Sequence, residues 1–278
     1  MQETRESAPG DEMTNGWAVV TGASSGIGLE FARELARHGH PVLAVARRRE
    51  RLETLARQAA VQAGRIEPLT ADLSTEQGLT SVVRRIAELG KVELLVNNAG
   101  IANAGDFPEA SLDREITAIR VNIDAVVSLT HNVLRGMVRH RSGAVINLAS
   151  VVAFQPCPHF AVYAATKAFV LSFTEALAEE VKGTGVRILA LCPGSVATEL
   201  DVFAHNEGLL GKLPSLTAEQ VVHTGLQALE DGSVVKVVGA LNRFLPFMGR
   251  LMPRWTIRRL MATGVKPPRL QSPPKVGL

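Results

Sequence analysis

The chain has 278 residues, 46% of them hydrophobic, and a formal net charge of +3, so it can form one large domain or two small ones around a sizeable core. No apolar run approaches the about 20 residues that span a bilayer, and residues 1–16 are polar and acidic, which predicts a disordered leader over residues 1–15 and not a signal peptide. The two cysteines, Cys157 and Cys192, make neither a disulfide framework nor a metal-ligand cluster, so we predict no metal site and a cytoplasmic location.

Charge is distributed unevenly along the chain. Residues 243–278 carry eight of the 30 basic side chains and none of the 27 acidic ones, which leaves 22 basic against 27 acidic side chains in residues 1–242, a net of −5. The body of the protein is therefore mildly acidic and its C-terminal end strongly basic. This distribution disfavours a general nucleic-acid-binding domain and confines the question of anionic partners to the C-terminal end.

A glycine-rich turn follows the first predicted strand. Residues 17–20 form a short apolar run, and the sequence TGASSGIG, from Thr21 to Gly28, leads from it into a helical pattern over 29–38. Such a turn suits a pyrophosphate, because the backbone can approach the phosphates and the exposed amides and helix dipole favour negative charge. The spacing is GxxxGxG and not the GxGxxG of the dinucleotide fingerprint. The cofactor contacts expected here are Gly22, Ser24, Ser25, Gly26, Ile27 and Gly28.

The second predicted strand, 41–46, is followed by three consecutive arginines. In an open parallel α/β sheet the end of this strand meets the adenosine ribose, where an acidic residue binds the free 2′-hydroxyl. Ala46 takes that place here, and arginine suits a 2′-phosphate by its charge and its planar donor fork. We therefore predict NADP(H) over NAD(H), with Arg47 and Arg48 as contacts. The alternative is a solvated charge cluster that caps the helix predicted over 50–62.

Two further strand ends carry small or polar residues. The predicted strand 66–70 runs into the sequence ADL, and the predicted strand 92–96 runs into NNAG. Asp72 can accept a hydrogen bond from the adenine amino group or begin the helix predicted over 75–89. The NNAG sequence can press against a flat cofactor or form only a turn. The cofactor contacts expected from these two segments are Asp72, Leu73, Asn98, Ala99 and Gly100.

A long helical pattern over 112–139 contains Asn122 between two apolar neighbours. Asparagine is not favoured inside a helix, and a buried amide needs hydrogen-bond partners. The sequence leaves two roles open for this residue: a structural hydrogen bond to the fourth strand, or the ordering of a catalytic water.

The strand predicted over 144–149 ends at Ser150, and Tyr163 and Lys167 follow in a helical pattern that continues to about residue 181. Residues four apart lie on one face of a helix, one turn apart. A free tyrosine has a pKa of about 10, and a neighbouring ammonium is expected to lower it, which makes proton exchange with a substrate oxygen feasible. The serine hydroxyl can hold the same oxygen. The alternative is an ordinary surface tyrosine and lysine on an amphipathic helix.

Pro193 and Gly194 end a sixth strand predicted over 186–191, and both are expected to contact the cofactor. The segment after them is expected to cover the nicotinamide end of a cofactor, with the Val196 amide and the Thr198 hydroxyl available to its carboxamide. Residues 199–214 contain glycines and mixed side chains, which predicts a mobile loop over the substrate.

A helix predicted over 217–229 and a strand over 234–238 complete the alternation of strands and helices. Each crossover helix must pack back on the sheet. The pattern therefore specifies an α/β fold, a Rossmann-like doubly wound parallel sheet of about seven strands, in a single domain over residues 16–240.

The ordered set of motifs, TGASSGIG, ADL, NNAG, Asn122, Ser150, YAATK and PG, resembles the compact single-domain subgroup of the short-chain dehydrogenase/reductase family. The resemblance implies that Tyr163 is the general acid in reduction and the base in oxidation, and that Lys167 lowers its pKa and binds the nicotinamide ribose. It implies that Ser150 orients the substrate carbonyl and that Asn122 holds the water of a proton relay. The implied chemistry is hydride transfer between nicotinamide C4 and a carbinol or carbonyl carbon.

An NADP(H)-dependent alcohol dehydrogenase or carbonyl reductase is the function that this resemblance implies, and the family commonly forms homodimers or homotetramers through its long helices. A hydrophobic ketone or secondary alcohol is favoured by the apolar residues around the tetrad: Val151, Val152, Phe154, Phe160 and Phe203. One alternative is an NADP(H)-binding redox-sensing regulator with the same fold. Another is a sugar-nucleotide epimerase or dehydratase, which generally has a larger C-terminal domain than about 40 residues can build.

The C-terminal extension, residues 241–278, departs from compact members of the family, which usually finish soon after the seventh strand. Its bulky apolar residues alternate with arginines, Pro246 and Pro253 break the pattern into short helices, and residues 266–278 are expected to be disordered. Three interpretations are open: packing against the substrate loop or a partner subunit, peripheral contact with an anionic membrane surface, and docking of an anionic acyl carrier.

Overall fold

The computed structural model describes residues 16–199, 215–239, 242, 244 and 252–264. Its strands are β1 (Trp17–Thr21), β2 (Val42–Ala46), β3 (Ile66–Thr70), β4 (Val92–Asn97), β5 (Gly143–Leu148), β6 (Val186–Cys192) and β7 (Val235–Val237). They form one parallel sheet in the order β3-β2-β1-β4-β5-β6-β7. The strand order reverses between β1 and β4, and this topology confirms the predicted Rossmann-like doubly wound sheet.

Helices connect the strands and cover both faces of the sheet. They are α1 (Gly26–Arg37), α2 (Arg49–Val61), α3 (Glu76–Glu88), α4 (Leu112–Ile119), α5 (Ala125–His140), α6 (Ala161–Glu180), α7 (Ala218–Glu230) and α8 (Arg254–Gly264). Apart from the long helix predicted over 112–139, the predicted elements agree with these bounds to within a few residues.

Burial on both faces explains why the central strands are apolar almost throughout. Every residue of β2 is buried, and β1, β4 and β5 are buried from their second residue onward. One apolar layer joins α1 and α7 to the sheet, with Phe31 and Leu229 among its members. The other joins α3 and α5 to the opposite face, with Val82 and Leu129. The carboxyl ends of the strands remain available for a site.

The prediction of one continuous helix over 112–139 is wrong in its middle. A π-helical turn, Arg120–Asp124, separates α4 from α5 and contains Asn122. The apolar pattern continues through this turn, because a single wider turn shifts the helix face by only one residue, so periodicity does not reveal it. The hydrogen bonds of Asn122, described below, supply the local reason for the turn.

The C-terminal extension contributes α8, which begins directly after Pro253. Ile257 and Met261 on this helix are buried. Among the helices of the described segments, none has the length and apolar character needed to cross a membrane. Several predictions fall on residues outside the described ranges: the leader 1–15, the loop 200–214 and the C-terminal end 265–278.

Candidate active site

Side-chain hydrogen bonds tie the glycine-rich turn after β1 to the end of β4. Thr21 Oγ1 accepts from the main-chain amides of Asn98 and Ala99, both at 3.0 Å, and Asn98 Nδ2 donates to the Thr21 carbonyl oxygen at 2.9 Å. Gly22 has a φ of +68°, and a Cβ there would lie 2.7 Å from Asn98 Nδ2, so glycine is required. A Cβ on Gly28 would collide with the same amide. The turn thus presents bare backbone beside the switch point of the sheet.

A cavity of about 340 Å³ lies at the carboxyl ends of β1 to β4. The predicted cofactor residues that line it are Gly22, Ser24, Ser25, Gly26, Ile27, Arg47, Arg48, Asp72, Leu73, Asn98, Ala99, Gly100 and Thr198. Predicted cofactor residues that are not among its lining residues are Gly28, Tyr163, Lys167, Pro193, Gly194 and Val196. The walls also include residues that the sequence did not assign to a cofactor: Val45, Ala71, Ile101, Val121 and Glu199.

Arg48 joins the end of β2 to the glycine-rich turn. Its Nη2 donates to Ser25 Oγ at 2.6 Å and to Ser24 Oγ at 3.0 Å, and its Nε donates to Ser24 Oγ at 3.1 Å. The hydroxyls and the guanidinium therefore form one polar corner of the cavity. The sequence left open a solvated charge cluster that caps the next helix. Arg48 is the N-cap residue of α2, but its side chain makes no cap hydrogen bond and contacts the two serines instead.

Asp72 lies at the end of β3, on another wall of the cavity. Its Oδ1 accepts from the Ser74 amide at 2.9 Å and the Ser74 hydroxyl at 2.7 Å. Burial opposes the charged form, but these two hydrogen bonds and the nearby positive charge of Arg47 together hold the pKa of Asp72 below its ordinary value. Asp72 thus shapes the turn before α3, although Thr75 is the N-cap residue of that helix, and its contact with adenine stays a prediction.

Glu199 closes the polar corner from the segment after β6. Its Oε2 accepts from Arg48 Nη1 and its Oε1 accepts from Arg51 Nη1, each at 2.5 Å. The hydrogen bonds from Arg51 and Arg48 lower the pKa of the Glu199 carboxyl to about 2. Sequence reasoning placed Glu199 at the start of a mobile loop and missed this contact, because no local signal relates it to arginines about 150 positions earlier in the chain.

Ser150 and Tyr163 are buried together at the carboxyl end of β5, with exposed fractions of 5% and 6%. Burial raises the pKa of Tyr163 to about 12, although a hydrogen bond with the Ser150 side chain favours the phenolate. The Ser150 hydroxyl also lies 3.5 Å from the Pro193 carbonyl oxygen, to which it donates. The structure therefore brings the predicted hydroxyl and phenol together and keeps the phenol protonated at neutral pH.

Lys167 lies one turn further along α6 and is 5% exposed. Its Nζ is 5.8 Å from the centre of the Tyr163 ring and donates to the Leu148 carbonyl oxygen at 2.6 Å. Burial lowers the pKa of Lys167 to about 8. The expected net lowering of the tyrosine pKa is not observed, because desolvation of the phenol outweighs the influences that favour the phenolate and the hydrogen bond of the ammonium goes to a main-chain carbonyl.

Hydrogen bonds of the Asn122 side chain connect the segment after β4 to α6. Its Oδ1 accepts from the Ile101 amide at 2.9 Å, and its Nδ2 donates to the Ile101 carbonyl oxygen and to Thr166 Oγ1, each at 2.9 Å. A Cβ on Gly100 would lie 3.4 Å from Asn122 Oδ1 and 3.6 Å from Lys167 Nζ. The structural role considered for Asn122 is thus present, although its partner is Ile101, beyond β4 and not within it.

The predicted nicotinamide segment runs beside Ser150. The Val151 amide donates to the Pro193 carbonyl oxygen at 3.1 Å. Val196 is buried and forms a parallel bridge with Leu216, and a Cβ on Gly26 would lie 2.9 Å from Thr198 Cγ2. The segment therefore spans the distance from Ser150 to the glycine-rich turn, which links the two groups of predicted site residues.

The inner face of α8 packs on residues 152–164, which include the predicted catalytic residue Tyr163 and are called the catalytic segment below. Ile257 and Met261 belong to one buried apolar cluster with Val152, Cys157, Phe160, Tyr163 and Ala164. Gln155 Nε2 also lies 3.7 Å from Met261 Sδ. The first interpretation of the extension expected packing against the substrate loop or a partner subunit, whereas the contact observed for α8 is with the segment around Tyr163.

A parallel sheet with a glycine-rich turn at its switch point, and a buried serine, tyrosine and lysine beside it, defines a Rossmann-like protein of the nucleotide-binding type. In the described segments no group of three or more His, Cys, Asp or Glu side chains is placed to hold a metal ion. Residues 16–207 match the family model for the short chain dehydrogenases. The chain belongs to the short-chain dehydrogenase family.

Several known proteins are similar to this chain. A short chain dehydrogenase of Pseudocercospora fijiensis is 43% identical over 186 residues, 66% of this chain but only 60% of that protein. The very-long-chain 3-oxoacyl-CoA reductase of Anas platyrhynchos is 35% identical over 253 residues, 88% of this chain and 78% of that protein. The structure of a short-chain dehydrogenase from Sphingobium yanoikuyae in complex with NADPH matches with a TM-score of 0.75 and 29% identity, covering 89% of this chain and 95% of that one.

Proposed function

We propose that this chain is an NADP(H)-dependent oxidoreductase that transfers a hydride between the nicotinamide and a hydrophobic secondary alcohol or ketone. The observation that carries the proposal is the buried convergence of Ser150, Tyr163 and Lys167 at the carboxyl edge of the sheet. A buried lysine whose hydrogen bond goes to a main-chain carbonyl costs folding stability. Lys167 lies next to Gly100, which lines the cavity, and such a cost beside a cavity is typical of an active site.

The residues around the cavity fit a dinucleotide. The turn between Gly22 and Gly28 suits the close backbone approach that a pyrophosphate needs, and a Cβ at either glycine would collide with Asn98 Nδ2 and displace the turn. Asn98 to Gly100 line the cavity and are proposed to contact the flat ring. Val196 and Thr198 are proposed to bond the carboxamide. When bound, the nicotinamide supplies or accepts the hydride at its C4.

Tyr163 is proposed to move the proton. Its raised pKa keeps the phenol protonated at neutral pH, so it can donate to a carbonyl oxygen as that oxygen gains negative charge. Ser150, which shares a hydrogen bond with the phenol, positions the same oxygen. Lys167, with a pKa of about 8, remains charged in most molecules at neutral pH and stabilises the phenolate that forms. These protonation states favour reduction of a ketone at neutral pH.

Asn122 is proposed to hold the water of a proton relay, but only through part of its amide. Both hydrogens of its Nδ2 are taken by Ile101 and Thr166. A water could therefore bond to the second lone pair of its Oδ1 or to the main chain of the π-helical turn. In this proposal the amide positions Ile101 and α6 as well as the water.

NADP(H) is proposed over NAD(H) because two arginines and two serine hydroxyls meet at the end of β2, where the 2′-substituent of the adenosine ribose is expected. Arg48 is held by Ser24 and Ser25, and Arg47 lines the same cavity. The similar Sphingobium protein was solved with NADPH, which supports the same preference here.

A hydrophobic substrate is proposed because the surroundings of Tyr163 are apolar. Val152, Phe160, Ile257 and Met261 pack in one cluster with the tyrosine. The similar Anas protein is named as a reductase of very-long-chain 3-oxoacyl-CoA, which supports an oxoacyl or other lipid-like ketone as the substrate class.

We also propose a homodimer or homotetramer in the cytoplasm, assembled through the long helices α5 and α6. Phe169 and Phe173 stack on α6 with their ring centres 5.7 Å apart, and Phe169 is partly exposed at 38%. Exposed stacked aromatics suit an interface. Light scattering during gel filtration is expected to give a mass of two or four chains, and a monomer would contradict this part of the proposal.

The function is tested by a panel of ketones and secondary alcohols followed at the absorbance band of reduced nicotinamide, with both coenzymes. Reduction of apolar ketones with NADPH is expected, and NADPH should give a lower KM than NADH. Tyr163→Phe should retain NADPH binding and lose turnover by about a thousandfold, the contribution of a positioned general acid. Near-normal turnover in this variant would refute the proposed roles. Coenzyme binding without turnover of any compound would support the redox-sensing alternative instead.

A further inference from the structure

Glu199 is the acidic group at the arginine corner of the cofactor cavity. Its two carboxylate oxygens each accept a hydrogen bond, one from Arg48 and one from Arg51. The carboxylate also lies in the wall between two cavities, the one of about 340 Å³ that holds the predicted cofactor residues and an open one of about 1000 Å³ that Arg51 lines. Arg48 and Arg51 thus form an anion site that the Glu199 carboxylate occupies.

The position of this carboxylate is defined by the segment that carries it. Thr198, its neighbour, lies against Gly26, where a Cβ would come within 2.9 Å of the threonine Cγ2. The Thr198 amide donates to the Val196 carbonyl oxygen at 2.7 Å, and the Ala197 amide donates to the Leu216 carbonyl oxygen at 3.0 Å. Glu199 therefore extends from a tethered turn toward the arginines.

The ion pairs with Arg48 and Arg51 hold the Glu199 carboxylate in place, but they are weak enough for another anion to replace it. The side chains of Glu199, Arg48 and Arg51 are 52%, 41% and 48% exposed, and solvent screens exposed pairs. A phosphate carries more charge and more acceptor oxygens than a carboxylate, so it competes well for the same guanidinium donors.

We propose that Glu199 is a specificity-determining residue that occupies the anion site of Arg48 and Arg51 and competes there with the 2′-phosphate of NADP(H). NADPH must displace the carboxylate, whereas NADH does not, so Glu199 reduces the preference for the phosphorylated coenzyme. This inference rests on the proposed function, because it requires that the cavity bind the adenosine end of a nicotinamide coenzyme.

The test is the full-length Glu199→Gln variant, titrated by calorimetry with NADPH, NADH, 2′,5′-ADP and 5′-AMP. Removal of the competing charge should tighten NADPH and 2′,5′-ADP by about tenfold, an order of magnitude set by two exposed ion pairs. NADH and 5′-AMP should change by less than about twofold, because they bring no 2′-phosphate. Their unchanged binding also shows that the cavity remains folded.

Glu53→Gln is the matched control. Glu53 pairs with Arg49 at 2.7 Å on the exposed face of the same helix α2 and is not among the lining residues of either cavity. Glu53→Gln changes the net charge by the same amount as Glu199→Gln, and it should leave the affinities for all four ligands unchanged. An equal gain in NADPH affinity from this control would show a general charge effect and overturn the inference.

A weaker NADPH affinity in Glu199→Gln would also overturn it, because it would mean that the carboxylate orients the arginines for the phosphate. For each coenzyme, the ratio of the variant's Kd to the wild-type Kd does not depend on which coenzyme the wild type prefers. A wild type that prefers NADH, with a selective gain for NADPH in the variant, would remove the proposed coenzyme preference and support the role of Glu199. A wild type that prefers NADPH, with equal changes in affinity for both coenzymes in the variant, would support the proposed coenzyme preference and overturn the role of Glu199.

Discussion

The two ends of the candidate site use charge in opposite ways. At the adenosine end, Arg48, Arg51 and Glu199 form exposed ion pairs whose partners can exchange. At the catalytic end, Tyr163 and Lys167 are buried, and their pKa values move away from the ordinary ones, to about 12 and about 8. Side chains that bind an anion must keep their charge while they are in contact with solvent. At the catalytic end, the proposal uses shifts that bring the pKa of Lys167 closer to neutral pH and keep Tyr163 protonated, so that the phenol can act as a proton donor.

The difference predicts different consequences of mutation. A change at the adenosine end should alter which coenzyme binds and leave the chemistry intact. A change at the catalytic end should alter turnover and folding stability together, because burial of an ionisable group couples the two.

The largest effect is expected for Lys167→Met. Without the ammonium, the phenolate of Tyr163 loses its only stabilising cation within the described part of the site, and kcat should fall by about a thousandfold. Steady-state kinetics with NADPH and a ketone measures this. Lys182→Met is the control, since Lys182 is exposed and pairs with Glu179; it should keep full activity. A loss of less than tenfold would show that the buried lysine is structural.

The next largest effect is expected for the double variant Arg47→Gln, Arg48→Gln. Charge-assisted hydrogen bonds to a phosphate should be lost, so the KM for NADPH should rise by about thirtyfold while the KM for NADH changes little. Arg49→Gln is the matched control, because Arg49 pairs with Glu53 outside the cavity. Equal increases for both coenzymes would contradict the assignment of these arginines to the 2′-phosphate.

The effect of Lys167 on folding stability should change with pH between about pH 8 and 10.5. Burial costs stability while Lys167 is charged, so Lys167→Met should be more stable than wild type by about 1–3 kcal/mol below pH 8. From about pH 8 to 10.5 the unfolded wild type binds more protons than the folded form, so wild-type stability rises and the advantage of the variant shrinks. Urea unfolding at pH 7, 8, 9 and 10 measures both proteins.

The difference between the two proteins isolates the lysine. The raised pKa values of Tyr163, Cys157 and Cys192 act in the opposite direction above about pH 9, since the folded form then binds more protons. Cys157 contributes equally to wild type and variant and cancels in the difference, whereas Cys192 and Tyr163 adjoin Lys167, so the difference isolates the lysine below about pH 9. A difference that does not change with pH would show that the pKa of Lys167 is not lowered in the folded protein.

The smallest effect is expected at α8. Met261→Ala should loosen the apolar wall beside Tyr163 and lower kcat/KM for a bulky apolar ketone by about fivefold, with little change for a small ketone. Leu260→Ala, at a neighbouring position that is 42% exposed, is the control. Equal losses for bulky and small ketones would indicate a general loss of stability and not a role in the substrate wall.

The membrane interpretation of the extension remains separately testable. Deleting residues 241–278 should leave liposome sedimentation unchanged if packing on the catalytic segment is the whole role of α8. A loss of sedimentation on anionic vesicles would show that the extension also binds membranes.

Most of the fold was predictable, because a parallel sheet covered on both faces leaves strong local signals. The apolar strands are short and separated by helical patterns, and each strand end carries its own motif. The convergence of Ser150, Tyr163 and Lys167 was predictable for the same reason. Parallel strands end at one edge, and a spacing of four places two side chains on one helix face.

Three features depended on contacts between distant parts of the chain. The π-helical turn at Asn122 depends on a clamp to Ile101, which the uninterrupted apolar periodicity does not show. The pKa of Tyr163 depends on how completely the phenol is buried, and spacing along the helix predicted the wrong direction. The packing of α8 on the catalytic segment depends on where the extension returns to the sheet.

The sequence by itself determined the strand–helix alternation, the sheet and the chemical identity of the groups at its edge, because these follow from short-range periodicity and residue type. Only the tertiary structure decided that Glu199 reaches Arg48 and Arg51 and that desolvation outweighs the ammonium beside Tyr163. Coulomb energy and desolvation depend on distances in space and on burial, and neither quantity is set by the order of residues along the chain.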